Sequence, residues 1–126
     1  MWFDIESNAD PRCAWKADKP SNCAWLQGLI TVGLASGVKV GVYSSIHEYE
    51  LLISDTPEGC PLFQAGDDLP LWYPHYQTPP DASFDDFSPF GGWTKPTIKQ
   101  FFDNAVPGTG VPNCKGGVGV DVNWHP

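Results

Sequence analysis

The order strand, helix, strand, helix at the start of this chain restricts its fold more than any other feature. Trp2-Phe3-Asp4-Ile5-Glu6 reads as a short strand. Residues 7–20 are polar and punctuated by Pro11 and Pro20, so they form a loop. A helix follows, with Ser21 or Asn22 as N-cap and Leu26, Leu29, Ile30, Gly33 and Leu34 on one face. Gly37 then stops it in the C′ position, where glycine tolerates a left-handed backbone. Val38 to Tyr43 is the next strand, and Ser45 with Glu48 forms a capping box that opens a second helix through Ile53. Strands joined through helices must cross over and run parallel, so the spacing predicts an α/β fold.

From residue 55 onward the pattern changes to strand and loop. Leu69 to Tyr73 is strand-like, interrupted by Pro70 and stopped by Pro74, and residues 77–96 are a long loop rich in Pro, Asp and Phe. Thr97 to Phe101 is a strand, residues 103–117 another loop, and Val118 to Trp124 the last strand. The 126 residues fit one domain, 1–126, without internal repeats. Glycine and proline together supply 26 residues (13 each), well above the roughly 12% that is average, so loops carry much of the surface. A net charge of -8 opposes a polyphosphate backbone, which argues against a nucleic-acid partner. Nothing approaches the ~20 consecutive apolar residues of a membrane span, and no signal-peptide pattern precedes Trp2.

Cys13, Cys23, Cys60 and Cys114 contain no C-x-x-C pair, which argues against a thioredoxin-type motif or a zinc knuckle. An even count in a small domain reads as an extracellular or secreted chain with two disulfides, the alternative being free buried thiols. Four cysteines allow three connectivities. The short loop ahead of a helix favours Cys13–Cys23, with Cys60–Cys114 as the complement.

Asp4 and Glu6 are spaced i, i+2, which in a strand puts both carboxylates on one face, about 6.6 Å apart along the backbone. Ile5 points the other way. Crowded acids should repel and raise one pKa, leaving a protonated acid beside an ionised partner, the pairing that glycoside hydrolysis needs. Asp121 alternates with Asn123 on the closing strand in the same way. Trp72, Tyr73, Tyr76, Trp93 and Trp124 fall near strand ends or between them, where flat rings can seat sugars or fill a small core.

Trp2-Phe3-Asp4-Ile5-Glu6, Val40-Gly41-Val42-Tyr43-Ser44-Ser45 and Leu69-Pro70-Leu71-Trp72-Tyr73 closely resemble the family 25 glycoside hydrolases, the Ch-type lysozymes. Phe87-Ser88-Pro89-Phe90-Gly91-Gly92-Trp93 with Lys99-Gln100 is similar to the secreted eukaryotic branch, and Gly119 to Trp124 resembles the closing strand. The resemblance implies a modified β/α (TIM-like) barrel that cuts the β-1,4 bond between N-acetylmuramic acid and N-acetylglucosamine in peptidoglycan glycan strands. It implies Glu6 as general acid/base, and Asp4 as the carboxylate that assists at the anomeric centre, directly or by orienting the acetamido group. It places Asp121 in the same cleft, with Tyr43, Trp72 and Gln100 facing the sugar. Such a barrel needs roughly 200 residues, and this chain begins at what would be its middle strand. The expectation is therefore the C-terminal part of a barrel, open-edged and prone to self-association. Pro74 and Gln77 stand where the family pattern has Ala and Asp, and Phe101 where it has Tyr.

Two other readings compete. One is a non-catalytic carbohydrate-binding relative, favoured by the negative charge, since bacterial envelopes are themselves anionic; an acidic phagolysosomal compartment would weaken that objection. A family 18 chitinase stands further off, because it wants a longer acidic run than Asp4-Ile5-Glu6. No cofactor is expected. His47, His75 and His125 are too scattered for a metal site, and Asp67-Asp68 and Asp85-Asp86 read as loop residues rather than calcium ligands.

Overall fold

The computed structural model describes residues 1–64, 68–102 and 121–126. Its elements run β1 (Trp2–Asp4), α1 (Lys19–Ala35), β2 (Gly41–Tyr43), α2 (Ile46–Leu52), β3 (Leu71–Pro74), β4 (Ile98–Phe102) and β5 (Val122–Trp124). Among the described residues the strands form one five-stranded sheet in chain order, β1-β2-β3-β4-β5. The first four run parallel, and β5 closes antiparallel on β4. This is the α/β fold expected from the opening order of elements. The expected residues Val118 to Val120 of the last strand, the loop at 103–117, Asp67 and Cys114 lie outside the described residues.

Helix α1 starts earlier than the sequence suggests. Its N-cap is Asp18, and Pro20 falls in the first turn, where a missing N–H costs no hydrogen bond. Ser21 does not cap: its hydroxyl donates to the Asp18 carboxylate. Asn22 is buried, and its amide donates to the Lys16 and Leu52 carbonyls, both at 2.8 Å, joining the helix to the end of α2. Gly37 ends the helix with φ +74°, as its C′ placement predicts. In α2 only half of the capping box forms. Ser45 Oγ accepts from the Glu48 N–H at 3.1 Å, while the Glu48 carboxylate reaches away to Ser7.

The core sits between the sheet and these helices. Ile5, just past β1, together with Val42 of β2 and Leu71 of β3 meets Leu26 and Ile30 from α1 and Tyr49 from α2. Each fully buried aliphatic side chain contributes roughly 1.5–3 kcal/mol. Gly41 makes room for the Trp2 indole, which a Cβ there would overlap.

The cysteine pairing differs from expectation. Cys23 bonds Cys60, with Cα atoms 6.1 Å apart, which overturns both Cys13–Cys23 and Cys60–Cys114. With the helix already under way at Lys19, Cys23 lies in its second turn, against the core beside Asn22 and Leu26. It faces the segment after α2 rather than the preceding loop. Tyr49 fixes that segment, donating to the Cys60 carbonyl at 2.5 Å and accepting from its N–H at 3.0 Å. Cys13 is exposed and unbonded. No helix among the described residues is long and apolar enough to cross a membrane.

Candidate active site

Parallel pairing sets Asp4 beside Tyr43 and Tyr43 beside Trp72. Residues in register share a face, and Gln100 and Asn123 continue that face on β4 and β5. Ile5 points into the core, so Asp4 and Glu6 turn outward on the opposite side. Four hydrogen bonds then link the far wall to the middle. Gln100 Oε1 accepts from the Tyr43 hydroxyl at 2.7 Å and also from the Tyr76 hydroxyl. Gln100 Nε2 donates to Asp121 Oδ2 at 3.2 Å, and Trp72 Nε1 donates to Asn123 Oδ1 at 2.8 Å.

Beyond the carboxyl ends of the first three strands lies a cleft of about 570 Å³, where open α/β sheets characteristically take ligands. Glu6, Tyr43, Glu48, His75, Tyr76 and Asp86 are among its lining residues. Glu6 and Asp4 also line a second hollow of about 450 Å³ with Trp15 and Trp25, so Glu6 stands between the two. The Trp15 indole donates to the Glu6 carbonyl at 3.0 Å, tying the loop before α1 to the end of β1.

The carboxylates are electrostatically coupled. The Glu6 carboxyl is pushed above its ordinary range by partial burial first, then by Asp4 and Glu48. The Asp4 carboxyl is raised as well, by partial burial and then by Glu48. Repulsion within the Asp4–Glu6 pair is therefore only part of the cause. Burial leads, and a third acid contributes. Tyr43 is also held protonated, chiefly by burial, then by Tyr76, with smaller contributions from Glu6 and Asp4.

The structure brings together Asp4, Glu6, Tyr43, Trp72, Tyr76, Gln100 and Asp121 through register, hydrogen bonds and charge. It does not bring Trp93, which is 5% exposed, packed at a tilt on Phe63 and edge-on to Phe90, with its indole bonded to the Leu69 carbonyl at 2.7 Å. Tyr73 lines the cleft but is almost wholly buried against Phe87, so it forms wall rather than an open platform. Trp124 packs edge-on against Phe84. Asp86 pairs with His75 and Lys99. Glu48 and His75 joined the site without a sequence signal of their own, since one read as a helix cap and the other as a scattered histidine. Among the described residues, no group of three or more His, Cys, Asp or Glu side chains could hold a metal ion.

The pattern of the family described as "Lysozyme-like protein 1" matches residues 1–101. "Probable GH family 25 lysozyme 4" of Dictyostelium discoideum is 37% identical over 126 residues, all of this chain and 49% of its own length. The chain belongs to the lysozyme-like glycoside hydrolase family 25. "Lysozyme-like protein 5" of Caenorhabditis elegans is similar at 35% identity, again over the whole chain and 49% of the relative. "Counting factor 45-1" of Dictyostelium discoideum is 35% identical over 98% of the chain and 35% of its own length. This lysozyme-like chain thus spans about half the length of the first of these curated relatives. No solved structure matches it.

Proposed function

We propose that this chain carries the acid-bearing half of a muramidase, a glycoside hydrolase acting on the β-1,4 bond between N-acetylmuramic acid and N-acetylglucosamine. The parallel β1-β2-β3-β4 run then corresponds to an arc of a β/α barrel, with the cleft at the carboxyl ends of its strands. In this reading Glu6 is the general acid that protonates the leaving oxygen. Asp4 supports the cationic anomeric centre, and Asp121 borders the same cleft through Gln100. Tyr43, Trp72, Tyr76 and Gln100 make the sugar-facing surface, and Tyr73 gives it backing.

One observation carries the reading: Glu6 opens onto a cleft at the strand ends while burial, Asp4 and Glu48 together make it hold its proton longer than an ordinary glutamate. A general acid needs its proton near the working pH, and placing one correctly is worth about 10²–10⁴-fold in rate. The disulfide and the family fit an extracellular or phagolysosomal setting. The test is Glu6→Gln in the 126-residue chain, assayed by release of reducing ends from purified peptidoglycan. The parent should release them and the variant should fall at least about a hundredfold. Equal release by both proteins would sink the assignment. A non-catalytic, glycan-binding role is the second reading, favoured by relatives such as "Counting factor 45-1" whose names carry no lysozyme. Its signature is disaccharide binding with no release from either protein.

A further inference from the structure

His75 directly follows β3, and its N–H donates to the Gln100 carbonyl at 2.9 Å, so its backbone is fixed by the sheet. Its ring is fixed as well, because Nδ1 meets Asp86 Oδ2. That same oxygen accepts from the Lys99 ammonium at 2.7 Å. Lys99 is wholly buried and gives a second hydrogen bond to the Ser83 carbonyl at 2.8 Å. Burial works against ionisation of Asp86, but the hydrogen bonds from Lys99 and His75 outweigh it and hold the carboxyl below its ordinary range. An ionised carboxylate only accepts, so the proton at this contact sits on His75 Nδ1. A neutral imidazole so pinned turns a bare Nε2 outward, as a hydrogen-bond acceptor in one set direction. The His75 side chain is 42% exposed and lines the same cleft as Glu6, Tyr43 and Tyr76.

A solvated ion pair would need none of this. Here a buried lysine neutralises the carboxylate, and the carboxylate selects a tautomer for a ring that borders the cleft. We propose that His75 Nε2 accepts a hydrogen bond from a hydroxyl of the glycan in this cleft, with Asp86 and Lys99 as the positioning residues behind it. The inference deepens the muramidase reading and rests on it, naming a specificity contact on the wall supplied by β3. Sugar hydroxyls are the matching donors, being numerous on a glycan and directional.

Long-range proton–nitrogen correlation spectra of the histidine rings in the 126-residue chain test this without any turnover. The probe is the disaccharide N-acetylglucosaminyl-N-acetylmuramic acid, with the Trp72 indole signal reporting on the rest of the cleft. At a pH where the ring is neutral, His75 should show a protonated Nδ1 and a bare Nε2, and Nε2 should move upfield as disaccharide is added. His75→Phe should weaken disaccharide binding about fivefold, as expected for one neutral hydrogen bond. His75→Gln, whose amide oxygen can reach the Nε2 position, should recover part of that. If the Trp72 indole shifts while Nε2 stays still, the His75 contact is wrong and the muramidase reading survives. A proton found on Nε2 in the free chain overturns the tautomer and with it the contact. If no signal moves with disaccharide, the glycan site itself is wrong and both readings fall together.

Discussion

Glu48 holds the end of β1 and charges it at the same time. Its carboxylate accepts from the Ser7 N–H at 2.7 Å and from the Ser7 hydroxyl at 3.2 Å, and the same negative charge raises Asp4 and Glu6. Glu48→Gln keeps an acceptor for Ser7 and removes the charge. The Glu6 carboxyl should therefore titrate at lower pH in this variant, though still above an ordinary glutamate, because burial and Asp4 remain. Carbon-detected titration of the Glu6 side chain measures it, and an unmoved midpoint would refute the coupling. The linkage has a definite sign. Asp4 and Glu6 bind protons more tightly folded than unfolded, so their contribution to stability falls as pH rises just above the ordinary carboxylate range. Asp86 runs the other way, stabilising above its ordinary value and losing that contribution as pH falls. That Asp4 and Glu6 turn to the same side was legible from alternation about Ile5, although the strand itself ends at Asp4. Glu48 was not, because a helix-cap motif assigns its side chain to its own helix, and only the tertiary fold shows it reaching across to Ser7.

At the level of elements, the Cys23–Cys60 bridge and the Tyr49–Cys60 hydrogen bonds pin α1 and α2 to the segment that follows them. The bridge spans 37 residues, and closing a loop of that size constrains the unfolded chain by about 4 kcal/mol in the chain-entropy account. Replacing both cysteines by alanine should lower unfolding free energy by about 2–4 kcal/mol in urea titration, with the cleft beside Glu6 left in place. A change well under 1 kcal/mol would show that the hydrogen bonds alone hold the segment. Helix order and the Gly37 stop were readable because Leu26, Ile30 and Gly33 recur at helical spacing. The start of α1 was not, because Pro20 looks like a loop breaker in sequence yet sits comfortably in a first helical turn. The disulfide partners escaped for a related reason. Nearness along the chain favoured Cys13, but the helix turns Cys23 towards the core.

Across the whole molecule the sheet is open among the described residues, with β1 at one edge. Met1, Trp2, Trp25 and Val32 are exposed apolar side chains, and Met1 and Trp2 belong to that edge. A strand with one open edge beside apolar surface templates further pairing. The 126-residue chain should therefore sediment faster with rising concentration, and a single monomeric boundary from micromolar to submillimolar protein would contradict this. The parallel order of the first strands was legible because helices separate them. The antiparallel turn of β5 was not, since Val118 to Trp124 reads as a strand of no stated direction.

That reversal matters for anyone handling the protein. Strand β5 enters beside the cleft, where Asp121 meets Gln100, and pairs onward until Trp124 lies opposite Lys99. The polypeptide therefore leaves the sheet heading away from the cleft at the strands' carboxyl ends. A purification handle or surface tether fused after Pro126 departs from the opposite end, and immobilised protein should still present an unobstructed cleft mouth.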